Sequence, residues 1–156
     1  IYPQADVPVV QLSMDASKPI AWHYEVGRAL RPLREEGFLI LGSGNVVHTL
    51  AQMEWDINAR PHDWAQRFND LVIDVVETNT PERLFNHQAL GRDAALSIPP
   101  PDLGHYWPLF YVLGARHPDD KLTMNPKHVQ YKSLSMMSFV LDSASQQLPL
   151  MGSEVM

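Results

Sequence analysis

Apolar positions along the chain change their spacing several times, and each change marks an element. Val7-Pro8-Val9-Val10-Gln11-Leu12 is a short apolar run of strand type. Ser13–Pro19 is a polar turn, with Pro19 well placed at a helix start. Trp22, Val26, Ala29, Leu30 and Leu33 then recur at helical spacing to about residue 36. Pro32 perturbs the last turn and Gly37 stops the helix. Phe38-Leu39-Ile40-Leu41 is continuously apolar, as expected of a strand covered on both faces. Strand, helix and strand within about 35 residues predict a βαβ unit with two parallel strands.

Trp64, Phe68, Leu71, Val72 and Val75 form a second helical stripe, preceded by Pro61 and opposed by Arg67, Asp70 and Asp74. Residues 79–101 read as a polar, irregular connection ending in Pro99-Pro100-Pro101. A third helix is expected after Asp102 as N-cap, with Leu103, Tyr106, Phe110 and Leu113 on one face and Gly114 as its stop. Leu134–Leu141 reads as a strand, with shorter strand pieces over Lys121–Gln130. The fold class expected is α/β, with a mixed, largely parallel sheet and flanking helices. Residues 1–141 form the patterned region; residues 142–156 have no periodicity and are expected to be a loose tail.

Composition narrows the function. The 156 residues suffice for one core, and 45% hydrophobic against 19% charged residues is a globular balance. A net charge of −6 gives no general pull toward nucleic acid or an anionic membrane surface. No apolar run reaches the roughly 20 residues of a membrane span. Cys is absent, which excludes disulfides, thiol nucleophiles and Cys-based zinc sites, and is compatible with a cytoplasmic location. The seven His residues are then the main source of metal or proton chemistry.

Leu41-Gly42-Ser43-Gly44-Asn45-Val46-Val47-His48 is the most informative stretch. A buried strand ends, two glycines permit a sharp turn, and a His follows. Ligands in open α/β sheets gather at such strand ends, so His48 is expected in a crevice. The plainer alternative is a tight turn beside a hydrogen-bonded His. Val47 stands where a dinucleotide fingerprint needs its third glycine, and no Gly-x-Ser-x-Gly or HExxH pattern occurs. His105 is the second candidate, placed in the first turn of the third helix, where the dipole favours the neutral, metal-binding ring. Its alternative is a His packed under the proline-rich loop. His23 reads as a boundary residue, and His62, His87, His117 and His128 as solvent-facing. The acid pairs Glu35-Glu36 and Asp119-Asp120 are expected to be solvated. Tyr131, Ser133, Ser135 and Met137 would share one strand face, able to line a pocket or only to half-bury a strand. The four Trp residues are read as core.

Five blocks in order carry a resemblance: Val7–Ser13, Gly42–His48, Trp64–Asn69, His105–Leu109 and Ser133–Ser138. Over residues 1–141 the chain resembles the C-terminal part of the 4,5-DOPA extradiol dioxygenase family, within the class III extradiol ring-cleavage dioxygenases. The resemblance implies a non-haem metal at the carboxyl ends of sheet strands, iron(II) for activity with zinc possible in its place, and O2-dependent opening of a catechol-type substrate. It implies His48 as metal-site and acid–base residue and His105 as a metal-site residue, although Pro101–His105 is longer than the family pattern by about two residues. Ser43, Asn45 and Tyr131 are the substrate-binding candidates. The family's remaining metal-site His residues lie in an N-terminal half with no counterpart motif here, and Ile1-Tyr2-Pro3 fits a chain entered partway through a domain. The partner expected is therefore that N-terminal half or a partner chain. Two alternatives stay open: a non-catalytic, Memo-like interaction protein of the same superfamily, and a zinc-dependent hydrolase.

Overall fold

The computed structural model describes residues 3–101 and 103–143. Its helices are α1 (Ile20–Glu35), α2 (Asp63–Thr78), α3 (Arg92–Ser97) and α4 (Trp107–Gly114), joined by 3-10 turns at Leu50–Gln52, Pro81–Leu84 and His87–Leu90. Its strands are β1 (Lys121–Met124), β2 (Val129–Gln130), β3 (Leu134–Ser135) and β4 (Phe139–Asp142). None of these helices is long and apolar enough to cross a membrane.

The short helix α4 is the centre of the packing. Of its residues, only Val112 is not buried, and a helix apolar all round needs cover on every side. Helix α1 covers one side through glycine: a Cβ on Gly27 would lie 2.4 Å from the Tyr111 carbonyl oxygen, and one on Gly114 2.2 Å from that of Tyr24. The helices therefore meet backbone to backbone. His23, one turn before Gly27, is completely buried in this seam rather than at its boundary. Its ring stacks on Trp107 at 4.9 Å, and Nδ1 shares a 2.9 Å hydrogen bond with the Tyr111 hydroxyl. Helix α1 then ends where Gly37, at φ +90°, lets Phe38 N–H return to the Leu33 carbonyl.

Helix α2 adds Phe68, Val72, Val75 and Val76 to the same core. The stretch 79–101 is more ordered than its polarity predicts. It holds α3 and two 3-10 turns, and buries Pro81, Leu84, His87, Ala94, Ser97 and Ile98. His87 is thus core, edge-on to Phe68 and Tyr106. Its apolar residues are spaced too widely for a periodic signal, because each short turn contributes only one or two.

The expected parallel sheet is not formed. All ladders among the described residues are antiparallel: β1 pairs with β4 in the register Lys121↔Asp142 to Met124↔Phe139, and β2 pairs with β3. The strand expected over 134–141 is split between two separate two-stranded sheets. Val7–Leu12 and Phe38–Leu41 belong to no strand, and their apolar side chains other than Ile40 are exposed: Val9 is 90% exposed, Val10 87% and Leu41 73%. An apolar run becomes a parallel strand only with neighbours on its edges and cover on its faces. No described residues supply these, because α1 spends its packing face on α4. Trp22 and Trp55 are likewise exposed, against the expectation of core, whereas Trp107 is buried and Trp64 packs on the core.

Asp120 also departs from expectation. Its carboxylate is buried and takes both Arg34 guanidinium nitrogens, at 2.6 and 2.9 Å, and the His117 N–H at 2.8 Å. Burial alone would raise this carboxyl, but the bonds from Arg34 and His117 outweigh it and hold the group below its usual 3.8. Arg34 also donates to the Ala115 and Leu141 carbonyls, tying α1 to the end of α4 and to β4. The tail beyond residue 143 lies outside the described residues; Asp142, its expected first residue, is the last of β4.

Candidate functional site

The Gly-Ser-Gly segment works by close approach rather than by turning. The positive-φ glycines among the described residues are Gly37 and Gly91, not Gly42 or Gly44. A Cβ on Gly42 would lie 2.8 Å from the Pro108 carbonyl oxygen, and one on Gly44 2.3 Å from that of His105. Asn45 N–H donates to the same His105 oxygen at 2.7 Å. The chain is thus laid directly on the entry to α4, at the level of His105.

His48, three residues after Asn45, is held by its backbone from both sides. Its N–H donates to the Ser97 carbonyl at 2.7 Å, at the end of α3. Ser135 N–H donates to Val47 and Thr49 N–H to Ser133, so residues 47–49 run antiparallel beside β3, with His48 bridged to Leu134. The Thr49 hydroxyl bonds the Leu96 and Ser97 carbonyls, and the Ser133 hydroxyl the Thr49 carbonyl. Two fixed backbones therefore meet, and the His48 and His105 rings stack with centroids 3.9 Å apart and planes 28° from parallel. His48 is half-buried and His105 exposed. Together with Leu50, Ile98 and Pro99 they line a cavity of about 230 Å³.

Of the expected site residues, His48 and His105 are brought together. Ser43, Asn45 and Tyr131 are not in the lining of this cavity. Ser43 lines a separate groove beside α4. The Asn45 amide is engaged internally, accepting from Val47 N–H and donating to the Ser135 carbonyl, both at 3.0 Å. Tyr131 turns the β2–β3 hairpin at φ +50°, with its ring 6.1 Å from Trp55. Ser133 and Ser135 are buried structural hydroxyls, the latter bonded to the Asn69 side chain at 2.6 Å. His105 lies in the turn before α4, whose N-cap is Tyr106, so it is outside the first helical turn. The expected N-cap, Asp102, lies outside the described residues. Leu50, Ile98 and Pro99 were invisible as site residues, since their role depends on tertiary placement. The one local signal was Ala94 and Ile98, four apart before the prolines, which marks a buried helical turn.

The cavity offers two imidazoles and an apolar wall. The imidazoles can hold or exchange a proton beside that wall. Its volume lies below the roughly 300–1,000 Å³ usual for ligand pockets, so it has the dimensions of part of a site. Among the described residues no group of three or more His, Asp or Glu is placed to hold a metal ion. Two imidazoles are suitable donors for iron(II) or zinc, but two alone do not make a metal centre. Behind them, burial pushes the Tyr106 phenol far above its usual 10 and lowers His87 below its usual 6.5. Both groups are neutral packing elements at ordinary pH.

The chain matches known proteins over most of its length. The family profile for the catalytic LigB subunit of aromatic ring-opening dioxygenase matches residues 1–141. A 4,5-DOPA dioxygenase extradiol from Escherichia coli (strain K12) is 42% identical over 144 residues, covering 88% of this chain and 51% of that protein. One from Mirabilis jalapa is 35% identical over 115 residues, covering 74% and 42%. The crystal structure of an uncharacterized protein from Escherichia coli K12 superposes with a TM-score of 0.77 at 41% identity, covering 88% of this chain and 57% of that one. The chain therefore spans about half the length of the curated relatives it matches.

Proposed function

The chain belongs to the family of catalytic LigB subunits of aromatic ring-opening dioxygenases, and on that premise we propose that it supplies part of the active site of a non-haem, metal-dependent extradiol dioxygenase. The substrate is a catechol-type ring, opened beside its hydroxyls with both atoms of O2. The rest of the site comes from the portion of the domain that the chain does not span, as an N-terminal half or a partner chain. The observation that carries this reading is the stack of His48 on His105 at the mouth of an apolar cavity.

The resident metal in this reading is iron(II), with zinc able to take its place, and it supplies a binding position for O2 and for the deprotonated catechol. Two imidazoles are not a full donor set for it. What the chain's own residues do is more limited. Leu50, Ile98 and Pro99 present an apolar wall to a ring face and exclude water from it. His48, fixed through its backbone by Ser97 and β3, holds an imidazole at the ring edge, where it takes a hydroxyl proton and later returns it. Asn45 fixes the approach to His48 through its amide bonds to Val47 and Ser135, while Ser43 and Tyr131, outside the cavity lining, take no place in it.

The test is O2 uptake with a catechol, using this chain co-expressed with the unmatched half of the Escherichia coli relative and loaded with iron(II). Uptake matched by ring-opened product is expected, falling by about 10²-fold or more for His48→Gln. Proton release with zinc and no O2 uptake would instead assign a hydrolase. A stable complex that binds neither metal nor catechol would assign an interaction protein.

A further inference from the structure

The segment after His48 carries one wall of the cavity, Leu50, and continues to His62 before α2 begins. Its apolar side chains do little to hold it: Leu50 is 59% exposed, Trp55 87% and Ile57 52%. Its backbone is held instead by the turn between β2 and β3. Thr49, Glu54 and His62 donate their N–H groups to the carbonyls of Ser133, Tyr131 and Lys132, at 3.3, 3.2 and 3.1 Å. The buried Ser133 hydroxyl adds a 2.7 Å bond to the Thr49 carbonyl. That carbonyl also takes Gln52 N–H at 3.2 Å, closing the 3-10 turn that carries Leu50. Lys132 Nζ pairs with Glu54. The start, middle and end of the segment are thus fixed to three consecutive residues.

The turn has a costly backbone. Tyr131 and Lys132 stand at φ +50° and +68°, in the left-handed region that residues with a Cβ avoid. An extended chain points successive carbonyls to opposite sides, so three in a row would not serve one neighbour. Two left-handed residues bring them to the same side. We propose that Tyr131–Ser133 is a positioning element of the candidate site, its left-handed backbone setting the cavity wall at Leu50 by holding residues 49–62. The inference rests on the reading above, in which that wall meets a substrate ring, and adds the element that fixes the wall. Tyr131 acts through its carbonyl and Lys132 through its conformation, both from outside the cavity lining. His48 has its own bond to Ser97, and Val47 its own to Ser135, so loosening the turn moves the wall rather than the imidazole.

The experiment uses the full 156-residue chain and two substitutions that both remove the Lys132–Glu54 pair but differ in backbone tolerance. Lys132→Gly accepts the left-handed conformation, and Lys132→Val resists it. Amide protection is read by hydrogen exchange, with the core amides of Val72 and Val75 as the folded reference. Lys132→Gly should keep the Glu54 and His62 amides within about twofold of their protection in the unsubstituted chain, and Lys132→Val should lower it about tenfold or more. If Lys132→Val does not fold, Lys132→Ala, which resists the conformation less, is read in its place, with protection about threefold lower or more. Activity is then measured in the iron(II)-loaded complex co-expressed with the unmatched half of the Escherichia coli relative. There Lys132→Val should raise KM for a catechol about fivefold or more with kcat within about twofold, and Lys132→Gly should restore both. Equal loss of protection in the two variants would assign the hold to the ion pair and overturn the proposal. So would protection kept in both, or a fall in kcat at unchanged KM. The expected exchange pattern without O2 uptake by any form would leave the positioning inference standing and remove the dioxygenase reading instead.

Discussion

Helix α1, which forms a seam with α4, and the segment Phe38–Leu41 are neighbours in sequence, yet their outcomes are opposite. In the seam, glycines at 27 and 114 let two helices touch backbone to backbone and enclose even an imidazole. In the segment, Phe38, Leu39 and Leu41 stand more than half exposed. The difference is in where the backbone finds its partners. A helix satisfies its own hydrogen bonds and needs only a packed face, which one neighbouring helix provides. A strand needs other strands, and nothing among the described residues brings one to its edges. Apolar pattern alone does not bury a segment; the connectivity of its hydrogen bonds decides.

The sharpest way to break the packed half is Gly44→Ala. The new methyl would meet the His105 carbonyl at 2.3 Å, and backbone cannot swing aside as a side chain can. A loss of about 3 kcal/mol or more is expected in denaturant melts, together with separation of the His48 and His105 rings. A variant of near-native stability would mean that the two backbones are not in contact there. Next is Asp120→Ala, which strands Arg34 in a largely buried position. A loss of about 3 kcal/mol is expected, at the lower end for buried pairs because Arg34 keeps some solvent. In the unsubstituted protein the Asp120 carboxyl is held below 3.8, so its contribution is present above that pH and fades as pH falls through its lowered value.

Smaller, and opposite in its chemistry, is the effect of acid on the seam. Burial lowers His23 below its usual 6.5, ahead of the opposing influence of the Lys18 carbonyl and Asp15, and burial likewise lowers His87. The folded chain then binds fewer protons than the unfolded one below pH 6.5. Stability is full above that value and declines as pH falls, by at most about 1.4 kcal/mol per pH unit for each proton. His23→Phe should flatten part of that slope in urea melts at pH 7 and pH 5; an unchanged slope would show that His23 is not buried neutral. The smallest effect belongs to the bare segments. Val10→Ser, at a position 87% exposed, should change stability by no more than about 0.5 kcal/mol. A cost of 2 kcal/mol would show that Val10 is covered within this chain.

What could be read from the sequence follows the same division. The helices α1 and α2 were legible because periodic apolar positions, Pro19, Pro61 and Gly37 all act locally. So was the conjunction of a glycine-rich segment with His48, although its physical basis was misjudged: Gly42 and Gly44 are needed for contact with α4, not for a turn. The parallel sheet was not legible, because Val9, Val10 and Leu39 specify a strand only if other strands arrive. His23 and His87 were misplaced because polar side chains give no sign of burial when neighbouring backbone, here at Gly27 or at the 3-10 turns, closes over them. The resemblance extends further than the periodicity, pairing His48 with His105 across 56 intervening positions by family pattern where spacing cannot.

The central claim is that His48 and His105 face one metal-dependent site. It is tested most directly by recording the imidazole NMR signals of the co-expressed complex while iron(II) is added. The account predicts that paramagnetic broadening reaches His48 and His105 together, at the same iron equivalents, while His62, His117 and His128 stay sharp. Broadening confined to those surface residues, or reaching one member of the stacked pair without the other, would contradict it.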